Sequence, residues 1–279
     1  MVAALLKYGA TVAAGNLKGE APLSIAVSRG ETSIVTLLLA HKEIDVEVEN
    51  AKGETPLYTA VTRGEVSMTV LLLSKGASPT HSPPHAETML NLAVSRGNPS
   101  LTRLLLNHVV DVDVPNKAGE TPLFKAVSNG DTSTAALLVG KGASVNIMSP
   151  SGETALYKAI YRGDTSITSL LLCNGANPEI PSPSGETPLY RAVHKGDISM
   201  VSLLLCHGAS PDTPAPSGET PLYRAVCRNE SSLVLLLLAK GANPDTVGGN
   251  AETALQYAAS KGNKTMIQIL SSHTRQKPS

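Results

Sequence analysis

The 279-residue chain has no tryptophan, one phenylalanine and seven tyrosines. The bulky rings that usually fill one large core are therefore nearly absent, and something other than a single thick hydrophobic centre must organise the chain. Charge is sparse as well, at 16% of residues, and its two signs balance, with 23 Lys plus Arg against 23 Asp plus Glu. A net charge of zero removes bulk attraction to nucleic acid or an anionic membrane and leaves only local patches. The longest apolar run, Leu233 to Ala239, has about a third of the length a membrane helix requires. The opening residues MVAALLKYGA lack the basic start and cleavage pattern of a secretion signal. Three cysteines fit a reducing compartment better than a disulfide framework, so a cytoplasmic or nuclear location is expected. Aliphatic residues are plentiful, in a chain that is 42% hydrophobic, which argues against disorder.

What the sequence does have is self-similarity. GETPLY stands at Gly53, Gly185 and Gly218, GETPLF at Gly119 and GETALY at Gly152, with weaker copies at Gly19 and Ala251. The residue before the Pro or its substitute is Ala21, Thr55, Thr88, Thr121, Thr154, Thr187, Thr220 and Thr253, a spacing of 34 and then 33 throughout. A period held over eight copies means a stack of like units, each burying a thin layer of Ala, Val and Leu against its neighbours. Rings would overpack such layers.

One unit, Ser184 to Pro216, reads in physical terms. Thr187 is an N-cap and Pro188 occupies the first helical position, where its missing N–H costs nothing. LYRAVHK continues the helix and Gly196 ends it. Asp197 or its neighbour caps a second helix, with Ile198, Val201, Leu204 and Leu205 on one face. Gly208 closes that helix in the left-handed conformation, and ASPDTPAPSGE forms an extended turn or hairpin finger.

TPLxxAxxxG followed by LLLxxGAxP at this period resembles the ankyrin repeat, over the whole chain. The resemblance implies an all-α solenoid of helix-turn-helix units with hairpin fingers, a curved right- or left-handed stack. It also implies a protein-recognition scaffold whose concave side is made by fingers and first helices. The chain is expected to be one domain over 1–279. Residues 1–15 would be the tail of a truncated repeat, 16–49, 50–82, 83–115, 116–148, 149–181, 182–214 and 215–247 repeats, and 248–279 a capping repeat. VAALLKYGATV matches the second half of a second helix, which suggests that earlier repeats preceded it, whereas Gln268, Ser271 and Ser272 make the last helix polar. The sequence departs from the family at the His after TPL, replaced by Tyr58, Phe124, Tyr157, Tyr190 or Tyr223. The family's Thr–His relay therefore does not carry over.

In a periodic stack, equivalent positions form columns. The residue before the inter-helix Gly is Arg29, Arg63, Arg96, Asn129, Arg162, Lys195, Arg228 and Lys261. Four residues earlier stand Ile25, Thr59, Leu92, Lys125, Lys158, Arg191, Arg224 and Tyr257. That spacing puts both columns on one face of the first helix. From Lys125 to Lys261 they form a double basic stripe, which the resemblance places on the concave side. Either the acidic columns (Glu120, Glu153, Glu186, Glu219 and Asp131, Asp164, Asp197, Glu230) neutralise it, or it docks an acidic or phosphorylated protein segment. In the second case Tyr161 and His194 are adjacent contacts. The candidate partner-binding set is Lys125, Lys158, Tyr161, Arg162, Arg191, His194, Lys195, Arg224, Arg228 and Lys261.

Other columns read as structure. Ser33, Ser67, Ser100, Ser133, Ser166, Ser199, Ser232 and Thr265 are expected to cap the second helices. The tyrosine after TPL is expected between repeats, with its hydroxyl on a finger carbonyl. The variable, Pro-rich fingers are a second place for recognition. Cys173 and Cys206 share one slot in adjacent repeats, too far apart for a disulfide, and read as small apolar helix residues. His81 and His85 lack further ligands for a metal.

No Gly-rich phosphate loop, HExxH, GxSxG or paired-cysteine zinc spacing occurs. No catalytic residue, cofactor or metal is therefore assigned, and the chain is not expected to be an enzyme or to bind a small molecule or membrane. Nucleic acid would use the stripe for phosphate contacts, but zero net charge and few exposed aromatics count against it. The expected function is a protein–protein interaction module. Near-identical copies resemble the ligand-sensing ends of larger intracellular signalling or immune-type receptors. The alternative is a scaffold or adaptor, such as a substrate-docking subunit of a ubiquitin ligase.

Overall fold

The computed structural model describes residues 15–16, 20–108, 111–249 and 251–274. The expected truncated tail, apart from residue 15, lies outside them, and so do the residues from 275 onward. Sixteen helices and no strand of a sheet occur among the described residues, an all-α repeat architecture. The chain divides into two compact units between Ala143 and Ser144.

Unit 1 holds four helix pairs: α1 (Pro22–Arg29) with α2 (Thr32–Leu38), α3 (Pro56–Arg63) with α4 (Val66–Ser74), α5 (Met89–Ser95) with α6 (Pro99–Leu106), and α7 (Pro122–Asn129) with α8 (Thr132–Gly140). Unit 2 holds four more: α9 (Ala155–Arg162) with α10 (Thr165–Cys173), α11 (Pro188–Lys195) with α12 (Ile198–Cys206), α13 (Pro221–Cys227) with α14 (Ser231–Ala239), and α15 (Ala254–Ser260) with α16 (Lys264–Thr274). Within each unit first helices pack on first helices and second on second.

The local chemistry explains the boundaries. Thr187 is extended, and its hydroxyl accepts from the Tyr190 N–H, with Pro188 in the first turn. Gly196 then stops α11 at φ 78, its N–H returning to the Ala192 and Val193 carbonyls. This left-handed turn is open to glycine at little cost. Gly185, at φ 80, is needed for a second reason: a Cβ there would run into Pro216 of the next finger. Thr55, Thr88, Thr121, Thr154, Thr220 and Thr253 repeat the Thr187 cap.

The caps of the second helices differ from expectation. The serine column sits inside each second helix, exposed to solvent, and the capping oxygens come from the residue after the turn. Asn98, Asp131, Asp164 and Asp197 accept from backbone N–H groups three residues on. Where that residue is Glu, as at Glu31, Glu65 and Glu230, no side-chain cap forms. The extra methylene carries the carboxylate sideways, to Arg63 from Glu65 and to Arg228 from Glu230.

Burial follows thin layers. Leu57, Leu72 and Leu105 in unit 1 and Leu171, Leu204 and Leu237 in unit 2 are fully buried. On α12 the buried face is Met200, Val201 and Leu204, whereas Ile198 is 46% exposed. Ile198 is the first residue of its helix, beyond the layer that the next pair covers.

Candidate functional site

The stripe residues of unit 2 lie on three consecutive first helices and the turns after them. Lys158, Tyr161 and Arg162 belong to α9, Arg191, His194 and Lys195 to α11, Arg224 to α13, and Arg228 caps its end. Lys261 caps α15, with its Nζ 5.5 Å from the Tyr257 ring centre. Lys125 lies half-buried on α7 of unit 1.

The two columns have different fates. In the column before the glycine, side chains reach back to the preceding repeat's first helix. Lys195 Nζ donates to the carbonyls of Tyr161 at 2.6 Å and Ile160 at 3.3 Å, and Arg228 Nη1 donates to that of His194 at 2.8 Å. In unit 1 Asn129, uncharged, makes the same reach to the Val94 carbonyl at 3.4 Å. The column thus donates to carbonyls of the last helical turn, where a cation also meets the negative end of the helix dipole.

The column four residues earlier faces the glutamates. Lys158, Arg191 and Arg224 lie 3.5, 3.7 and 3.7 Å from Glu153, Glu186 and Glu219. These distances exceed a normal N–H···O hydrogen bond, and such partly exposed pairs contribute about 0–1 kcal/mol. Two of these carboxylates, Glu186 and Glu219, are held more firmly from the other side, and Glu252 is held in the same way. Tyr157, Tyr190 and Tyr223 donate their hydroxyls to Glu186, Glu219 and Glu252 at 3.2, 2.6 and 2.9 Å. The hydroxyls therefore meet the next repeat's carboxylate and not the expected finger carbonyl. Burial, and then the Glu219 hydrogen bond, push the Tyr190 phenol up to about 12. Burial also raises the Tyr157 phenol.

Tyr161 stands apart from these buried rings, at 51% exposure. Lys158 Nζ, the Arg191 guanidinium carbon and Lys195 Nζ lie 5.8, 5.0 and 5.7 Å from its ring centre. Beside it opens a groove of about 420 Å³ walled by Tyr157, Arg191, Glu186 and the finger residues Ser182, Pro183 and Ser184. His194 sits edge-on to Tyr190, ring centres 6.4 Å apart. Burial, followed by the charges of Arg224 and Arg191, holds its imidazole below the ordinary 6.5.

The fingers are bound to one another. Glu47 accepts from the Ser78 N–H at 2.6 Å, Asn146 from Asn177 at 2.8 Å, Glu179 from Ser210 at 2.8 Å and Asp212 from Asn243 at 2.8 Å. Sequence reading missed this column, although a polar residue recurs there at the same period. Cys173 and Cys206 are exposed rather than apolar packing residues, because each ends its helix beyond the buried layer. His81 pairs with Glu49 at 3.0 Å. Among the described residues no group of three or more His, Cys, Asp or Glu could hold a metal, and no helix is long and apolar enough to cross a membrane.

Helix pairs in register, joined by fingers and linked rung to rung, define a repeat scaffold of the recognition type. The family model for ankyrin repeats matches residues 1–83, 80–149, 126–215, 159–248 and 213–278, and the chain belongs to the ankyrin-repeat family. Among solved structures it is similar to the ankyrin repeat domain of Bcl-3, described as a unique member of the IkappaB protein family: 30% identity, 80% of this chain and 99% of that one, TM-score 0.64. An ankyrin repeat domain from Acinetobacter baumannii AYE is 28% identical over 68% of this chain and 98% of its own, with a TM-score of 0.61. The ankyrin repeat protein EF0377 is 29% identical over 65% and 96%, with a TM-score of 0.59. No curated protein matches the chain. Ankyrin repeats generally mediate protein–protein interaction and are typically non-enzymatic.

Proposed function

We propose that this chain is a non-enzymatic protein-recognition module that takes an acidic or phosphorylated protein segment on the first-helix face of unit 2, centred on Tyr161. By family resemblance this is the concave face. The observation that carries the reading is the half-exposed Tyr161 ring with Lys158, Arg191 and Lys195 around it. Large exposed aromatics beside arginine are the usual anchors of interfaces. Glu186 and Glu219 leave donor capacity at Arg191 and Arg224, because their shorter bonds come from the Tyr157 and Tyr190 hydroxyls. A ligand carboxylate or phosphate would give these cations a closer acceptor. Lys195 and Arg228 act chiefly by holding the helix ends, and Lys261 by covering Tyr257. A docking or ligand-sensing arm of a larger cytoplasmic receptor is the setting such a module fits.

An array of peptides graded in acidity and phosphorylation tests the reading. Binding is expected to rise with peptide negative charge and to fall about tenfold or more in Tyr161→Ala and Arg191→Gln, with Lys125→Gln unchanged. Binding that is independent of peptide charge, or indifferent to Tyr161→Ala, would overturn it.

A further inference from the structure

The ends of α10 and α12 carry two exposed thiols, Cys173 and Cys206. Each meets a basic side chain 34 residues further on. Cys173 Sγ lies 3.7 Å from His207 Nε2, and Lys240 Nζ donates to Cys206 Sγ at 3.6 Å. In unit 1 the same offset brings Lys141 Nζ to Asn107 Oδ1 at 3.2 Å. The repeat register, and not one side chain's rotamer, therefore creates the neighbourhood.

The two thiols face different chemistry. His207 Nδ1 lies 2.9 Å from the Leu203 carbonyl oxygen. A carbonyl can only accept, so Nδ1 carries the proton, and in the neutral ring Nε2 presents its lone pair to Cys173. Nucleophile, base and a group that orients the base are thus in place. Lys240 offers donors only: as an ammonium it cannot take the thiol proton, and it acts on Cys206 by stabilising a thiolate through its charge. The third cysteine, Cys227, is half-buried, and burial raises its thiol. It provides an unreactive reference in the same chain.

We infer that Cys173 is a nucleophilic thiol, served by His207 as proton acceptor, and a site of reversible modification by low-molecular-weight disulfides. The Cys173 Sγ–H proton passes to His207 Nε2 as sulfur attacks one sulfur of the small disulfide. The S–S bond breaks, and the departing thiolate recovers the proton from His207. The products are a mixed disulfide on Cys173 and one small thiol. The cysteine sulfur is oxidised and the departing sulfur is reduced, so electrons and protons balance. The adduct would stand where Cys173 now touches the following repeat, outside the Tyr161 face.

The test is a time course of the full chain with glutathione disulfide, each cysteine followed by mass spectrometry. In the unaltered chain Cys173 is expected to gain the adduct well ahead of the half-buried Cys227. His207→Gln should slow Cys173 about tenfold, within the reach of general-base assistance, and leave Cys206 unchanged. Lys240→Gln should leave Cys173 unchanged. Equal rates at Cys173 and Cys227 in the unaltered chain, which needs no variant, would overturn the inference. So would a Cys173 rate indifferent to His207→Gln in a variant of unchanged helicity.

Discussion

Units 1 and 2 are built from the same four-pair plan, yet their first-helix faces differ. In unit 2 the phenol position holds Tyr157, Tyr190, Tyr223 and, in the last pair, Gln256, and the cation position holds Lys158, Arg191, Arg224 and Tyr257. In unit 1 the phenol position holds Ser24, Tyr58, Asn91 and Phe124, and the cation position Ile25, Thr59, Leu92 and Lys125. Asn91, buried, turns inward to donate to the Val114 carbonyl at 3.0 Å, and Phe124 has no hydroxyl to give. Both units fold with Thr caps, save at Ala21, and with left-handed glycines and buried leucines. The polar rungs of unit 2 are therefore not a requirement of the fold, which is the physical reason for placing recognition there.

The largest effect should come from what the units share. Leu204→Ala and Leu72→Ala each remove a fully buried side chain and should cost about 2–5 kcal/mol. Hydrogen exchange should show the loss mainly in the altered repeat and its immediate neighbours, because repeat stability is a sum of local and interface terms. Uniform loss across all pairs would contradict this. Next comes the rung that separates the units. Tyr190→Phe leaves Glu219 without its hydroxyl donor and should cost about 1 kcal/mol in denaturant unfolding, whereas Tyr58→Phe should cost less.

The same rung sets an alkaline limit. The folded Tyr190 phenol, at about 12, lies above the ordinary 10.0, so the unfolded chain releases the proton first. Its contribution is complete below pH 10 and is lost as pH rises from there toward 12. Tyr190→Phe should flatten that limb of the stability curve. The smallest effect belongs to the carbonyl-reaching column. Lys195→Met should cost only about 0.3–1 kcal/mol, the scale of an exposed cation at a helix C-terminus. A cost of several kcal/mol would show that Lys195 does more than cover the Tyr161 and Ile160 carbonyls.

The fold was readable because its signals are local. Threonine before proline, glycine between helices and leucines at helical spacing each act within a few residues, and the repeat multiplies them. The Asp197 cap was legible for the same reason. The serine column misled because a hydroxyl near a helix start looks like a cap, and only the true boundary shows that the capping aspartate stands two residues ahead. The nearness of Glu186 and Glu219 to the stripe was visible as charge pattern, but their grip by Tyr157 and Tyr190 was not. That grip spans 29 residues and depends on how one repeat is rotated over the next. The exposed cysteines were lost to the same blindness, since helical spacing does not say how far the next layer extends.

The links between repeats have a further consequence. Finger contacts bridge 31 residues, hydroxyl–carboxylate rungs 29, and carbonyl-reaching side chains 34 or 35. Each repeat offers its successor the groups that it requires of its predecessor. A gene that gained or lost one whole repeat inside unit 2 would thus rejoin compatible edges, while a gain or loss of any other length would break every bridge at the junction. Ser184 to Thr213 and Ser217 to Thr246, so alike in sequence, have the form such an exchange leaves behind. The array can change length, and with it the extent of the face proposed for recognition, without a new solution to folding.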